Sequence, residues 1–233
     1  MAQLLDGMMW YVVFLFSTTV HEAAHAFAAL KLGDDTAYHG GQVTLDPIPH
    51  IRREPLGTVV IPIVSFLMSG WMIGWASTPY DPSWAERHPR RSAWMSLAGP
   101  ASNFLLVLLS AVMIRVGILM GYFIEPDSIN FTHVTTASAD SGIFVAVAMF
   151  LSIMFTLNLL LFVFNMLPFP PLDGSGAFPL LLKREQALKY MNFINQSNFS
   201  LVGLFIAWSI FDKLFDPIHL IAINLLYPGA GYH

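Results

Sequence analysis

The chain contains no cysteine and few charged residues. Of its 233 residues 11% are charged and 55% are hydrophobic, whereas a soluble domain typically has about 25% charged residues. The absence of cysteine excludes disulfides and thiolate ligands, so a metal would have to be held by His, Asp or Glu. The formal net charge of −4 is spread along the chain without a basic run. The composition therefore indicates an integral membrane protein in a lipid bilayer and no nucleic-acid partner.

Apolar segments dominate the chain and predict membrane helices. They cover about 8–30, 56–78, 92–118, 141–166 and 199–227, and each crossing needs about 20 apolar residues. The last segment has Asp212, Lys213, Asp216 and Pro217 near its middle, so it is either one broken span or a short hairpin. We expect an all-α, multi-pass membrane protein, a polytopic helical bundle. Residues 1–233 should form one domain, with a core at 8–182 and a C-terminal helical segment at 199–227.

Polar connectors separate the apolar segments. In the first connector, GQVTLDPIPHIRREP from Gly41 to Pro55, Val43 and Leu45 alternate with polar residues before three prolines. This pattern predicts a short β-strand followed by an extended segment. Residues 80–91 and 125–140 have the composition of polar loops. Residues 183–196 have helical apolar spacing and predict a helix along the membrane surface.

Two histidines and a glutamate interrupt the first apolar segment. His21 and His25 are four residues apart, so a helix presents both imidazoles on one face, with Glu22 beside them. This is the HExxH zinc signature. Ionisable groups in an apolar helix are costly unless they face a polar cavity or bind a metal. The signature therefore predicts a zinc site, and the alternative is a histidine pair bonded to neighbouring helices.

A catalytic zinc site generally needs a third protein ligand. The candidates are Asp173, His50, His39, Glu125 and Asp140. Asp173 is preferred because it follows Asn165 at the end of an apolar segment and lies in a proline-rich stretch before Gly174, which fixes the backbone direction at low entropic cost. An Asp-Gly pair after prolines is by itself usually a turn, so the other candidates stay open.

Three separated motifs together resemble the site-2 protease family of intramembrane zinc metalloproteases. The motifs are HEAAH at 21–25, LAGPASN at 97–103 and NMLPFPPLDG at 165–174. They follow the order expected for the family and cover the chain from about residue 20 to 175. The chain is similar to the compact members, which lack additional PDZ or CBS domains.

The resemblance implies a function and a set of site residues. By this similarity one Zn²⁺ per chain is held by His21, His25 and Asp173, with Glu22 as the general base. The substrates would be single-span membrane proteins, whose transmembrane helices are cut in regulated intramembrane proteolysis. The natural substrate and the oligomeric state do not follow from the sequence.

The resemblance also implies substrate contacts, each with an alternative. Asn103 and Asn165 would line the site, although an asparagine such as Asn103 can equally bridge helices through hydrogen bonds. A substrate helix must be drawn out as an extended strand before it is cut. Val43 and Thr44, in the predicted strand, offer an edge for pairing with it. The alternative is that this strand only covers the site.

The three predicted ligands cannot meet if every apolar segment crosses the membrane, and the simplest alternative is that one segment does not cross. If every apolar segment crossed a bilayer core of about 30 Å, Asp173 would lie on the face opposite the histidines. Residues 56–78, with Pro62, Gly70 and Gly74, are therefore expected to form a re-entrant hairpin. Nine of the eleven basic residues then share the face of the site, which makes it cytoplasmic and places the N-terminus outside a prokaryotic cell membrane. These nine are Lys31, Arg52, Arg53, Arg87, Arg90, Arg91, Lys183, Arg184 and Lys189.

The main rival function is a non-proteolytic membrane metal-binding protein, either a divalent-metal carrier or an inactive adaptor. A carrier is expected to place its ligands along a path through several helices. Glu22 beside a single three-ligand set instead matches hydrolysis.

Overall fold

The computed structural model describes residues 2–139, 142–194 and 197–233. The first half contains α1 (Ala2–Leu32), α2 (Thr36–His39), α3 (Pro47–Arg53), a π-helical turn (Leu56–Val60), α4 (Ile61–Ser69), α5 (Pro82–Arg87) and α6 (Pro89–Leu119). The second half contains β1 (Phe123–Ile124), β2 (Thr136–Ala137), α7 (Ile143–Asn165), α8 (Asp173–Ala177), a 3-10 turn (Phe178–Leu181), α9 (Arg184–Ile194) and α10 (Ser197–Leu226).

Three helices in the described residues are long and apolar enough to cross a membrane. They are α6, α7 and residues Leu5–Leu32 of α1. α6 packs against both α1 and α7, and α10 packs on α7. The largest apolar cluster joins α6, α7 and α10 through buried side chains such as Ile114, Phe155 and Phe211. The expected all-α membrane bundle is confirmed.

Residues 56–78 turn back on themselves. α4 has nine residues and spans about 14 Å, roughly half of a bilayer core. Gly70 ends it in a left-handed conformation with φ 79°, and the chain returns without forming a helix or strand. The backbone N–H of Trp75 donates to the carbonyl of Gly57 at 3.1 Å, and the Ser77 hydroxyl donates to the Glu54 carboxylate at 2.6 Å. Both limbs therefore end at the same side of the bundle, so the segment forms the expected hairpin, and its re-entry into the membrane stays a prediction.

The strand predicted within residues 41–46 is wrong, and the proline-rich stretch after it is helical. The Asp46 carboxylate accepts a hydrogen bond from the backbone N–H of Ile48 at 2.9 Å, and Pro47 is the first residue of α3. An Asp cap followed by proline is a strong helix-start signal. It prevails over the alternation of Val43 and Leu45. The β element of the fold is instead β1 paired antiparallel with β2.

Two further connectors differ from the prediction. Residues 80–91 contain α5, which Asp81 caps by accepting from the backbone N–H of Ser83. Residues 125–135 form the loop between β1 and β2, β2 itself lies within the predicted loop 125–140, and Asp140 lies outside the described residues.

The C-terminal segment is one continuous helix. α10 runs from Ser197 to Leu226 with Pro217 inside it, so the segment is neither interrupted nor folded into the short hairpin that was the second alternative. The helix predicted at 183–196 is confirmed as α9, and its last two predicted residues, Asn195 and Gln196, lie outside the described residues.

Candidate metal centre

Three predicted ligands, separated by up to 152 residues in sequence, meet at one point. The Nε2 atoms of His21 and His25 are 3.0 Å apart, and Asp173 Oδ2 lies 3.0 Å from the first and 3.3 Å from the second. Both histidines are buried. Among the described residues no other group of three or more His or acidic side chains converges in this way. Of the other third-ligand candidates, His50, His39 and Glu125 lie elsewhere, and Asp140 is not described.

The local sequence explains how each ligand reaches this point. Helix α1 places the two imidazoles one turn apart. Asp173 opens α8, just after the chain turns back from the end of α7. A Cβ on Gly174 would lie 2.3 Å from the carbonyl oxygen of Met166, so only glycine lets this turn pack against the end of α7. Burial alone would raise the pKa of Asp173, but the adjoining imidazoles lower it below its usual range.

The Nδ1 atoms of both histidines face hydrogen-bond acceptors. His21 Nδ1 lies 2.5 Å from Asn103 Oδ1, and His25 Nδ1 lies 2.8 Å from the backbone carbonyl of Met95. When both rings are neutral, each Nδ1 therefore carries the hydrogen, and each Nε2 presents a lone pair toward the other ring and the Asp173 carboxylate. Three acceptor atoms then converge at one point, an arrangement that a bound cation stabilises. Orienting Nδ1–H···O bonds are typical of metal-binding histidines.

Gly99, in α6, leaves a space beside the two ligand nitrogens. A Cβ built on Gly99 would lie 2.3 Å from His25 Nε2 and 2.5 Å from His21 Nε2. These values approach the zinc to nitrogen bond length of about 2.0–2.1 Å. Two imidazoles and one carboxylate surround a space that Gly99 leaves open, and this arrangement fits a zinc ion.

The cluster borders a cavity of about 440 Å³. Glu22 lies on its wall, and the Thr78 hydroxyl is 2.7 Å from Glu22 Oε2 and 2.9 Å from the Glu22 carbonyl. Thr78 belongs to the return limb of the re-entrant segment, whose residues Ala76 and Ser77 also line the cavity. The limb therefore holds the carboxylate next to the predicted ligands.

The residues predicted to contact substrate occupy different places. Asn165 lines the cavity, and its amide donates to the Leu161 carbonyl at 3.0 Å. Asn103 is fully buried behind His21, a location that suits the alternative of a hydrogen-bonding bridge. Val43 and Thr44 are not among the residues lining the cavity. The substrate roles of these residues remain predictions.

Sequence reasoning missed Thr78, the Met95 carbonyl and Asn158, whose Oδ1 accepts a hydrogen bond from Asn103 Nδ2 at 2.9 Å. The signal for Asn158 was present, since it is an amide in the middle of an otherwise apolar segment, where polar residues usually have a role. A backbone carbonyl and a hydroxyl in a connector have no comparable pattern.

Comparison with known proteins agrees with this geometry. The model of peptidase family M50 matches residues 9–210. The chain is 35% identical over 171 residues to "Putative zinc metalloprotease YwhC" of Bacillus subtilis (strain 168), covering 72% of this chain and 67% of that protein.

Two mycobacterial proteins are also similar. The chain is 29% identical over 171 residues to "Putative zinc metalloprotease Rip2" of Mycolicibacterium smegmatis, covering 73% of this chain and 56% of that protein. It is 30% identical over 173 residues to the protein of the same name in Mycobacterium tuberculosis (strain Erdman), with the same two coverages. The chain thus spans little more than half the length of these two relatives. No solved structure matches the chain.

The family model covers most of the chain, the relatives are named as zinc metalloproteases, and the structure supplies membrane helices and a donor set that fits zinc. The chain belongs to peptidase family M50, the site-2 protease family of membrane zinc metallopeptidases.

Proposed function

We propose that this chain is an intramembrane protease that cuts the transmembrane helices of single-span membrane proteins. The observation that supports this most is the convergence of His21, His25 and Asp173 beside Glu22, at a cavity between membrane helices. We place the whole catalytic apparatus in one domain over residues 1–233, with the core at 8–182 and α10 as a C-terminal addition.

The chemistry assigns a separate task to each residue. His21, His25 and Asp173 would hold zinc, which when bound supplies Lewis acidity that polarises a carbonyl and acidifies water. The Glu22 carboxylate accepts the proton of the attacking water and then delivers it to the leaving amine. Asn165, on the cavity wall, would donate to the substrate backbone or to the developing oxyanion.

The substrate backbone must be extended to expose its carbonyls to this site. The return limb at Ala76–Thr78 lies outside any helix or strand and lines the cavity, so its backbone is placed to pair with an extended peptide. This position replaces the 41–46 segment as the pairing edge, because the strand predicted there does not form.

The contacts of basic residues support the proposed orientation, with the site near the cytoplasmic face. Arg91 donates to the carbonyl of Leu32 at the end of α1, and Arg53 donates to the Ser77 hydroxyl. Basic residues from separate connectors therefore gather at the end of the bundle that contains the metal cluster. By the positive-inside rule this end faces the cytoplasm of a prokaryotic cell and the N-terminus lies outside.

The full chain reconstituted in liposomes with a single-span test protein would test the proposed function. We expect cleavage inside the hydrophobic segment, mapped by mass spectrometry, that zinc chelation stops and added zinc restores. Cleavage confined to the water-exposed flanks would contradict the intramembrane assignment. Zinc transport into the liposomes without any cleavage would instead support the carrier alternative.

Replacing Thr78 with valine should slow cleavage while leaving zinc in place. The change removes the hydroxyl that bonds Glu22 but keeps the side-chain shape, and a hydrogen bond to a charged group is worth about 1.5–3 kcal/mol. We expect kcat to fall about 10-fold or more, with unchanged zinc content by elemental analysis. Thr19→Val, which removes a buried hydroxyl that has no partner among the described residues, is the matched control. An unchanged kcat in Thr78→Val would show that the contact does not position the base.

A further inference from the structure

A chain of buried amides connects α7 to one of the proposed zinc ligands. It begins at Asn158, whose Nδ2 lies 2.8 Å from the backbone carbonyl of Met154 and 2.9 Å from the Ser17 hydroxyl. A carbonyl oxygen can only accept, so the Met154 carbonyl fixes which end of the Asn158 amide is Nδ2. Asn158 Oδ1 must then face the opposite way, toward Asn103 Nδ2 at 2.9 Å.

The Asn103 amide in turn determines which nitrogen of His21 carries the hydrogen. Because Asn103 Nδ2 donates to Asn158, Asn103 Oδ1 faces His21 Nδ1. His21 Nδ1 must then carry the hydrogen, which leaves the Nε2 lone pair for the metal cluster. The two asparagines and Ser17 are fully buried, so bulk water cannot substitute for a lost partner.

The tautomer of His25 does not depend on a series of hydrogen-bonded amides. His25 Nδ1 faces the backbone carbonyl of Met95, which has no alternative orientation. The amide of Asn103, in contrast, could present either its oxygen or its nitrogen to His21. Only the donor requirement imposed through Asn158 distinguishes the two orientations.

We propose that Asn158 is a positioning residue that sets the amide direction of Asn103 and thereby the zinc-binding tautomer of His21. This inference rests on the proposed ligand role of His21. Without Asn158 the Asn103 amide can turn its nitrogen toward His21 Nδ1, and His21 then carries its hydrogen on Nε2, where it blocks the metal.

The test compares two replacements of Asn158 in the full chain. Leucine keeps a similar volume but removes both polar ends, and we expect zinc affinity to fall about 10- to 100-fold in a chelator competition. Aspartic acid, which is protonated when buried, can still accept from Asn103 and donate to the Met154 carbonyl. We expect Asn158→Asp to retain zinc affinity within a few-fold of the original. Equal losses in both variants would overturn the proposal.

The histidine tautomers give a readout that a general loosening of the bundle would not reproduce. In ¹⁵N spectra of the metal-free protein at a pH where both rings are neutral, His21 and His25 should carry hydrogen on Nδ1. In Asn158→Leu only His21 should gain the Nε2–H form. Thr156→Val removes another buried hydroxyl from α7, one with no partner among the described residues, and should leave both rings unchanged.

The remaining outcomes separate this inference from the proposed function. Nε2–H on His21 in the unmodified protein would overturn the inference without any variant. Loss of zinc in His21→Leu together with unchanged zinc affinity in Asn158→Leu would keep the ligand role and reject the positioning role. Retention of full zinc affinity in His21→Leu would reject the ligand assignment itself.

Discussion

Replacing Gly99 with alanine is expected to abolish zinc binding without unfolding the bundle. The added methyl carbon would lie 2.3 Å and 2.5 Å from the Nε2 atoms of His25 and His21, far closer than non-bonded atoms approach. The rings are buried and held at Nδ1 by Asn103 and Met95, so they cannot turn aside without losing those bonds. We expect zinc affinity to fall at least about 100-fold, with activity falling to background.

The same substitution should not weaken helix α6 itself. Alanine is favoured over glycine within a helix by about 1 kcal/mol, so a loss of zinc would arise from the site. Elemental analysis of the purified chain measures the zinc content, and thermal unfolding shows whether the bundle itself is weakened. Gly40→Ala, where an added Cβ meets only contacts of 3.5 Å or more, is the control and should keep one zinc per chain. A Gly99→Ala protein that also keeps one zinc would show that the space is not needed for the metal.

The two histidines could be predicted as a metal-binding pair from a local pattern, whereas Asp173 was one of several candidates until the resemblance to the site-2 protease family singled it out. His21 and His25 share a helix face by their spacing alone, and Asp173 lies in a proline-rich turn at the end of an apolar segment. The re-entrant segment followed from a distance argument, since the ligands of one zinc ion cannot lie on opposite sides of a bilayer. Length, hydropathy and zinc chemistry together excluded a topology in which every apolar segment crosses the membrane.

The failures of prediction have two physical causes. At residues 41–53 two local signals compete, and the Asp46 cap with Pro47 determines the structure, while the alternation before it finds no partner strand in the described part of the chain. The contacts around the ligands have a different cause. Thr78 meets Glu22 across 56 residues and Asn103 meets Asn158 across 55. Such pairs are set by how helices pack, which periodicity within one segment does not encode.

Replacing Glu22 with glutamine is expected to reduce kcat about 10³-fold while zinc stays bound. Glutamine has the same shape and can still accept the Thr78 hydrogen bond, so the side chain should keep its position. It has no basic oxygen to take the proton of the attacking water, and general base catalysis typically contributes about 10²–10⁴-fold. Zinc content should not change, because the converging ligand atoms belong to His21, His25 and Asp173.

The matched control for Glu22→Gln is Glu54→Gln. Glu54 is an acid at the same end of the bundle that accepts a hydrogen bond from the Ser77 hydroxyl and lies outside the residues lining the cavity. Glutamine can accept the same bond, so cleavage of the single-span substrate should be unaffected. Full activity in Glu22→Gln would refute its role as the base. Loss of zinc from Glu22→Gln would place this carboxylate among the ligands, and the proton would then need another acceptor.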